Sequence, residues 1–181
     1  DSNRYTKQIM KQNYIPTINI SSLVNKDLGS KESLKIIKKI EKACVEVGFF
    51  QVIGHGIDHR KIKKIVKIGE KFFKLNKKEK IKLSPNKWNK KNKNFYRGYF
   101  PSDVNGKEGL DIGDLRVSEN FSQKIKNQYI EYLDLEKCFQ KNSINHLSSY
   151  YDDIYLLSEL LFKSIIKLYT VSYTHLTLPT R

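Results

Sequence analysis

The sequence predicts a mixed α/β (α+β) fold, because short strand-like runs alternate with longer runs that have helical spacing. "YIPTINISSL" and "FFQVIGHG" have the apolar content of short strands, and the stretch between them repeats apolar residues every three to four positions. From about Leu133 to Tyr169 the same spacing predicts one long helix. With 181 residues and a hydrophobic fraction of 39%, the chain can form one domain or part of a larger one.

The first elements are predicted as strand, helix and strand. Ile15, Ile18 and Ile20 are the apolar residues of the first strand. The helix begins at Ser30 and ends at Gly48. Its apolar positions are Leu34, Ile37, Ile40 (or Glu41), Cys44 and Val47. The second strand is then expected to be short and buried, and to end in a turn flanked by glycines.

A second helix is predicted after this turn, with Asp58 as its N-cap. Its inner face is expected to consist of Ile62, Ile65, Val66, Gly69, Phe72 and Phe73. Asn76 with Glu79 has the spacing of a capping box for a third, short helix. The lysine-rich residues 77–93 are expected to be polar and mobile near their end. "NFYRGYFP" is a candidate aromatic strand, and "SDVNGKEGLDIGD" is predicted to be an extended loop.

The sequence also predicts the state of the two cysteines. Cys44 and Cys138 lack the paired spacing of a zinc ribbon or a redox CxxC, and both lie among apolar residues. We therefore expect reduced core thiols in a cytoplasmic protein.

The apolar stripe of the long helix consists of Leu147, Tyr151, Ile154, Leu157, Leu161, Ile165 and Leu168. Tyr150, Tyr151 and Tyr155 on this helix are expected to be core rather than catalytic residues.

The net charge of +15 allows two interpretations. It is typical of a nucleic-acid or anionic-surface binder. It also follows from an AT-rich coding sequence, which enriches Lys, Asn, Ile, Tyr and Phe together. The run "NKWNKKNKNFYRGYF" faintly matches an RNA-reading RNP1 strand, but Pro101 follows where that strand needs a backbone donor. No apolar run approaches the length of about 20 residues that a membrane span needs.

The last eleven residues, "VSYTHLTLPTR", differ in composition from the rest of the chain. They hold three threonines and no lysine, asparagine or isoleucine. The segment resembles a translated sequencing adapter; the alternative is a genuine strand after the helix. We expect residues 171–181 to be an artefact and the natural protein to continue past Thr170.

Four stretches, in order, resemble the N-terminal region of the isopenicillin N synthase-like Fe(II)/2-oxoglutarate-dependent dioxygenases. "IPTINISSL" resembles the opening strand of that family, with Asn19 where an aspartate is usual. "ACVEVGFFQVIGHGI" is the strongest match and contains the structural motif residues Gly48, Phe49, Phe50, His55 and Gly56. "YRGYFP" and "GKEGLDIG" resemble the family's RGY strand and the acidic loop that follows it.

The resemblance implies a domain order. Residues 1–14 would be a lead segment, 15–117 the dioxygenase N-terminal domain, and 118–170 a helical segment. That segment would lead into a double-stranded β-helix (jelly-roll) core that is missing from the chain. The parent would use Fe(II), O2 and 2-oxoglutarate to oxidise a small organic substrate, releasing succinate and CO2. We expect it to be a monomer, to bind neither nucleic acid nor membrane, and to be cytoplasmic.

The family's iron site needs a histidine and a carboxylate two residues apart, with a distant second histidine. No HxD or HxE occurs in the sequence. His55 and Asp58 are three positions apart, and His146 is followed by Leu-Ser-Ser. We therefore expect no catalytic residue, no metal ligand and no bound cofactor in this chain, and no activity from it alone. His55 is interpreted as a structural residue that hydrogen-bonds nearby backbone, and Asp58 as a helix cap.

Arg97 and Tyr99 are the candidate substrate-binding residues that the resemblance implies. The matching segment of the family lies along the mouth of the active site, where a guanidinium and a phenol can grip a carboxylate or stack on a ring. The alternative is that Tyr99 packs in the core and Arg97 pairs with an acid such as Glu108. Two rival functions also stay open: a basic nucleic-acid-binding module, and a non-catalytic scaffold.

Overall fold

The computed structural model describes residues 15–25, 27–102, 106–115, 122, 124–125 and 131–174, with side chains up to residue 167. Its contacts divide the chain into two compact units, and each is described by itself. Unit 1 comprises Asp1–Gly56 and Tyr155–Arg181, and unit 2 comprises Ile57–Ile154. The predicted domain boundary at residue 117 lies outside the described residues, as do the predicted lead segment and residues 175–181.

Unit 1 begins with strand, helix, helix and strand. The elements are β1 (Thr17–Asn19), α1 (Ser21–Asn25), α2 (Lys31–Glu46) and β2 (Gln51–Ile53). β1 and β2 pair in parallel, with Ile18 opposite Val52. Parallel neighbours need a long crossover, and α1 and α2 supply it.

The ends of α2 match the predicted signals. The Ser30 hydroxyl accepts from the backbone N–H of Ser33, so Ser30 is the N-cap. After the helix, Gly48 adopts a φ of 84°, and its N–H donates to the carbonyl of Ala43. A glycine accepts this left-handed conformation at little cost, which ends the helix before β2 begins.

The buried face of α2 agrees with the predicted face at Ile37 and Ile40, and Leu34 packs against the core beside them. Its buried residues are Ser33, Ile37, Ile40 and Ala43. The prediction that Cys44 is a core thiol was therefore wrong, because Cys44 lies one position beyond this face and is exposed. Cys138 is half-buried, and burial raises the pKa of its thiol. Both cysteines are free.

The core of unit 1 is aliphatic. Its buried residues are Ile18, Ile20, Leu23, Ile37, Ile40 and Ala43. Leu157, Leu161 and Ile165 of the long helix pack against this cluster. These three belong to the predicted stripe, whereas Leu156 and Phe162 of the same helix are 62% and 65% exposed.

Unit 2 contains two helices, a hairpin and the start of the long helix. The helices are α3 (His59–Phe73) and α4 (Lys77–Ile81), and the hairpin strands are β3 (Gly98–Phe100) and β4 (Gly109–Asp111). A 3-10 turn (Leu135–Lys137) precedes α5 (Lys141–Thr174), whose C-terminal part belongs to unit 1. Asp58 caps α3 and Asn76 caps α4, as predicted.

Three predictions for unit 2 need correction. The long helix begins at Lys141 instead of Leu133, because Leu135 and Phe139 are buried around a 3-10 turn that imitates helical spacing. On α3, Ile68 is buried, whereas the predicted inner residue Val66 is 55% exposed. The predicted extended loop contains strand β4, which pairs with β3 through the register Tyr99 to Leu110.

The core of unit 2 combines aromatic and aliphatic side chains. Its buried residues are Ile68, Phe72, Leu83, Tyr99, Leu115, Leu133, Leu135 and Phe139. The Phe72 ring stacks on Phe139 at a centroid distance of 5.2 Å and meets the edge of Tyr99 at 5.8 Å. The strand that carries the candidate residue Tyr99 is thereby anchored in the core.

Candidate functional site: the Arg-Gly-Tyr hairpin

The three residues Arg97, Gly98 and Tyr99 have different roles at the start of strand β3. Arg97 is exposed, whereas Gly98 and Tyr99 are buried. Successive side chains of a strand point to opposite faces, so an outward arginine and an inward tyrosine two positions later need an irregular residue between them. Gly98 is that residue, with a φ of 114°.

Gly98 also permits a close approach between two segments. A Cβ atom at this position would collide with the carbonyl oxygen of Leu83. The same carbonyl accepts the backbone N–H of Tyr99 at 3.1 Å. One residue earlier, the side-chain amide of Asn94 donates to the carbonyl of Arg97 at 2.5 Å. The backbone on both sides of Gly98 is therefore held by hydrogen bonds that only a glycine allows.

The lysine-rich loop before the hairpin is folded through asparagine side chains. Asn92 is 7% exposed and donates to the carbonyls of Lys82 and Ser84, while Asn86 donates to the carbonyl of Asn92. Amide side chains here replace the backbone ladder that a loop lacks. The stretch is polar, as predicted. These hydrogen bonds give residues 82–94 a defined fold, whereas the sequence predicts mobility near the end of residues 77–93.

Tyr99 is 2% exposed, and its hydroxyl donates to Glu108 Oε2 at 2.6 Å. The Nζ of Lys80 lies 2.6 Å from the same oxygen. These two hydrogen bonds, that from Lys80 first, hold the pKa of the Glu108 carboxyl below its usual value, because both favour the charged form. Of the two alternatives, these contacts agree with core packing for Tyr99.

Arg97 pairs with Asp111 rather than with Glu108, which the sequence had offered as a partner. Its Nη1 donates to Asp111 Oδ1 at 2.8 Å. Asp111 lies on β4 opposite Gly98, the residue that follows Arg97. The guanidinium lies over Gly113, where an added Cβ would be 3.1 Å from Nε. The Arg97 side chain is 44% exposed, so it lies at the surface, and it already forms an ion pair with one carboxylate. Its role as a substrate-binding residue stays a prediction.

The glycines around His55 form the turn after β2. Gly54 and Gly56 have φ values of 69° and 79°. A Cβ at Gly54 would lie 2.5 Å from Asn19 Oδ1, which accepts the backbone N–H of Ser21. Asn19 therefore serves as a cap after β1, and the turn must carry a glycine beside it. His55 is half-buried, and its predicted backbone hydrogen bond stays a prediction.

The aromatic pair of the same motif divides between surface and core. Phe50 packs against the aliphatic cluster of unit 1, whereas Phe49 is 72% exposed. Asp58 accepts from the backbone and guanidinium of Arg60, which lowers the pKa of its carboxyl. Its contacts are those of a cap, and they occupy the carboxylate.

The described histidines do not form a metal centre. His146 Nδ1 lies 2.6 Å from the carbonyl oxygen of Asn142, one helical turn earlier. Across residues 15–174, apart from the gaps named above, no cluster of three His, Cys, Asp or Glu side chains is placed to hold an ion. Since the sequence also lacks HxD and HxE, the donor set of this chain does not fit the iron site of the family.

Sequence reasoning missed three residues that shape the hairpin: Lys80, Asn94 and Asp111. Lys80 and Asp111 contact residues 28 and 14 positions away, and Asn94 donates to the Arg97 backbone within a loop, so apolar periodicity reveals none of these contacts. One signal was available, because a lysine in the apolar face of a short helix needs a buried partner. The partner itself could not be identified without the fold.

Comparison with known proteins identifies the family. The family model described as "non-haem dioxygenase in morphine synthesis N-terminal" matches residues 15–143. The chain therefore belongs to this family, as the N-terminal region of a 2-oxoglutarate- and Fe(II)-dependent dioxygenase of the isopenicillin N synthase-like group, and the predicted resemblance is confirmed.

Similar curated proteins include a dioxygenase, a hydroxylase and a synthase. The 2-oxoglutarate-dependent dioxygenase tropC of Talaromyces stipitatus is 36% identical over 49% of this chain and 26% of its own length. The homoarginine-6-hydroxylase 2-ODD-C23.2 of Arabidopsis thaliana is 37% identical over 52% and 27%. Isopenicillin N synthase of Streptomyces griseus is 36% identical over 54% and 28%. The chain thus spans about a quarter of the length of these relatives.

A solved structure, the dioxygenase for auxin oxidation in rice, has a similar fold. It matches with a TM-score of 0.57 and 16% sequence identity, over 84% of this chain and 44% of that chain. At this identity the likeness shows the fold alone. Within the described residues, none of the helices has the length and apolar content that crossing a bilayer requires.

Proposed function

We propose that this chain is the front part of an oxidoreductase that uses Fe(II), O2 and 2-oxoglutarate to oxidise a small organic substrate. The observation that carries the proposal is the family match over residues 15–143. The relatives support the cofactors, since they include a 2-oxoglutarate-dependent dioxygenase and a probable iron/ascorbate oxidoreductase. The relatives act on different small molecules, so the substrate class stays open.

The residues of this chain would serve the reaction without holding the iron. Their donor set does not fit the metal, so the ligands of iron and of 2-oxoglutarate would belong to a part of the parent beyond this sequence. The chain alone is therefore proposed to be inactive, and the parent to be a cytoplasmic monomer. Its contribution would be a folded support that presents the Arg97 hairpin.

Arg97 is the residue of this chain that we propose to contact the substrate. A guanidinium has five N–H donors, and here Nη1 donates to Asp111. The remaining geometry allows a second carboxylate or a ring to approach the exposed face of the planar group. Tyr99 would act on the substrate through the position of the strand, because its hydroxyl is engaged by Glu108.

The test compares two proteins: the 181-residue chain and a version extended with the coding sequence that follows residue 170. Each is incubated with Fe(II) and 2-oxoglutarate, and succinate release is measured. We expect succinate from the extended protein only. An extension without an HxD or HxE and a later histidine would overturn the proposal, and so would succinate release by the 181-residue chain.

A matched pair of variants tests Arg97 in the extended protein. Arg97→Met removes the guanidinium, and Arg60→Met removes a more exposed arginine on α3 that is likewise paired with one aspartate, Asp58. Because Arg97 would bind substrate in the ground state as well as in the transition state, Arg97→Met should raise KM for an acidic substrate more than it lowers kcat. Equal kinetics for the two variants would remove Arg97 from the site.

Nucleic-acid binding is the second candidate, and one observation favours it. Residues 57–95 contain fifteen lysines and arginines against three acidic residues. The RNP1-like interpretation is not supported by the hairpin, because Tyr99 is buried and cannot stack on a base. We expect weak, sequence-independent binding in filter assays that falls steeply between about 50 and 200 mM salt. Retention at the higher salt would favour the binding module over the enzyme.

A further inference from the structure

Helix α4 and both hairpin strands of unit 2 meet at the carboxylate of Glu108, and the end of α3 is connected to it through Lys80. Lys80 of α4 lies 2.6 Å from Glu108 Oε2 and also donates to the carbonyl of Phe73, the last residue of α3, at 3.2 Å. Tyr99 of β3 donates its hydroxyl to the same Oε2. Glu108 directly precedes β4. One carboxylate thus connects both strands of the hairpin to both helices.

The burial of Lys80 is the unusual feature of this cluster. Only 9% of its side chain is exposed, against 32% for Glu108. Lysine is almost never buried to this degree without a partner, because removing an ammonium from water is costly. Its Nζ also lies 5.3 Å from the centroid of the Tyr99 ring, so the aromatic face contributes to its environment. The ammonium is therefore placed by contacts from three sides.

We propose that Lys80, Glu108 and Tyr99 form an ionic clamp that positions Arg97 by fixing the β3–β4 hairpin against the ends of α3 and α4. The three are positioning residues. That Arg97 then meets a substrate rests on the proposed function, whereas the clamp itself does not. A buried ion pair adds little net stability over a well-packed apolar pair, but removing one partner is costly, and in some proteins such buried polar groups select one arrangement.

The register of the hairpin explains how the clamp reaches Arg97. Gly98 is opposite Asp111, and Tyr99 is opposite Leu110. The Arg97–Asp111 pair therefore lies beside Tyr99 on one strand and beside Leu110 on the other. If Tyr99 and Glu108 are released, both strands can shift against the core, and the guanidinium loses its fixed position over Gly113.

The test measures hydrogen exchange and the Arg97 Nε–H resonance by NMR on the 181-residue chain. Tyr99→Phe removes one hydroxyl, and Glu108→Gln removes the charge while keeping the shape. We expect tenfold or faster exchange at the hairpin amide of Tyr99, which donates to the Leu83 carbonyl, and a shifted Arg97 resonance. Amides of α2 in unit 1 should stay within twofold of the parent chain.

Two further variants separate the clamp from general stability. Lys80→Met should loosen the hairpin as Glu108→Gln does, and Lys80→Arg should restore part of the protection. The double variant Lys80→Met/Glu108→Gln should increase exchange by less than the product of the single effects, because no unpaired charge is left buried. The control is Lys61→Met, which breaks the ion pair with Asp153 elsewhere in unit 2.

Exchange that rises equally in the hairpin and α2 would overturn the proposal, since the cluster would then act only on global stability. An unchanged hairpin in Tyr99→Phe and Glu108→Gln would overturn it as well, as would a Lys61→Met variant that loosens the hairpin equally. None of these results depends on succinate release or on substrate. A negative result for succinate release would therefore not contradict the clamp, and a negative result for hairpin hydrogen exchange would not contradict the dioxygenase proposal.

Discussion

The two units of the chain are stabilised in different ways. Unit 1 has an aliphatic core, and side-chain hydrogen bonds such as those between Ser30 and Ser33 or between Ser164 and Leu160 join residues that are close in sequence. Unit 2 has an aromatic core and polar side-chain contacts across long separations, such as Lys61 with Asp153 and Lys80 with Glu108. Spacing within the sequence can reveal the first kind of contact but not the second.

The difference has a consequence for function. The candidate residue Arg97 belongs to unit 2, where Asp111, 14 residues away, binds its guanidinium and Asn94 donates to its carbonyl. An aliphatic core tolerates exchange among similar side chains, because its contacts are non-directional. A directional polar network tolerates less, since removing one member leaves another unsatisfied. Substitutions in unit 2 should therefore disturb the site more than equally buried ones in unit 1.

The largest expected effect is at Phe72, the centre of the aromatic core. Its ring contacts Phe73, Tyr99 and Phe139, and it is 2% exposed. Phe72→Ala should lower the free energy of unfolding by about 3–5 kcal/mol, because it removes a large buried side chain and leaves a cavity. Urea denaturation followed by the fluorescence of Trp88, which lies in unit 2, measures this loss.

Phe73→Ala is the matched control for that experiment. Phe73 is adjacent in sequence but 36% exposed, so its truncation should cost about 1 kcal/mol. An equal loss for the two variants would mean that the aromatic cluster is not the centre of unit 2.

The next effect compares one glycine from each unit. Gly98→Ala places a Cβ against the Leu83 carbonyl at a φ of 114°, so it should cost about 3 kcal/mol and displace β3. Gly54→Ala in unit 1 meets a side-chain atom, Asn19 Oδ1, at 2.5 Å instead of a backbone carbonyl, so it should cost less, about 1–2 kcal/mol, although it disturbs the hydrogen bond from Ser21. Denaturation midpoints of both variants check the order. A costlier change at Gly54 would contradict the view that the hairpin is the more constrained turn.

Much of unit 1 could be predicted from the sequence. Ser30 and Gly48 bound α2 as expected, since caps and stops are local chemistry. The predicted face is right at Ile37 and Ile40, and Leu34 packs against the core, but Cys44 is exposed and apolar spacing does not predict the buried Ser33 and Ala43. Local sequence signals predict where a helix begins and ends better than they predict which residues of the helix are buried.

The site was predicted only in outline. The resemblance indicated Arg97 and Tyr99, but not that they would differ so strongly in exposure. Strand β4 was taken for a loop, since Gly109–Asp111 is short and its partner strand is needed to recognise it. Lys80 could not be connected to Glu108, because 28 residues separate them and only the tertiary fold brings them together. Long-range polar contacts of this kind have no period in a sequence.

A smaller effect is expected from pH, and it should differ between the units. The pKa of Glu108 is lowered by the hydrogen bonds from Lys80 and Tyr99, so their stabilising contribution is present above the ordinary carboxyl pKa of 4.5. It is lost as pH falls through the lower pKa of the folded state. Hairpin amide exchange should therefore accelerate below pH 4.5 relative to that of α2, after correction for intrinsic exchange. Glu108→Gln should remove the difference, and a pH response that persists in this variant would point to another group.

The smallest effect is a gain in stability. Gly69 lies within α3, and no atom lies within 4 Å of the Cβ that alanine would add there. Gly69→Ala should raise the free energy of unfolding by about 0.5–1 kcal/mol, because alanine loses less backbone entropy in a helix. The control is Gly48→Ala in unit 1, which is equally uncrowded but has a φ of 84° and should lose about 1 kcal/mol. If the melting temperature rises for Gly69→Ala and falls for Gly48→Ala, backbone conformation decides both results, because the added methyl group has open space at both positions. A loss at Gly69 would instead mean that α3 requires a glycine there for a contact outside the described residues.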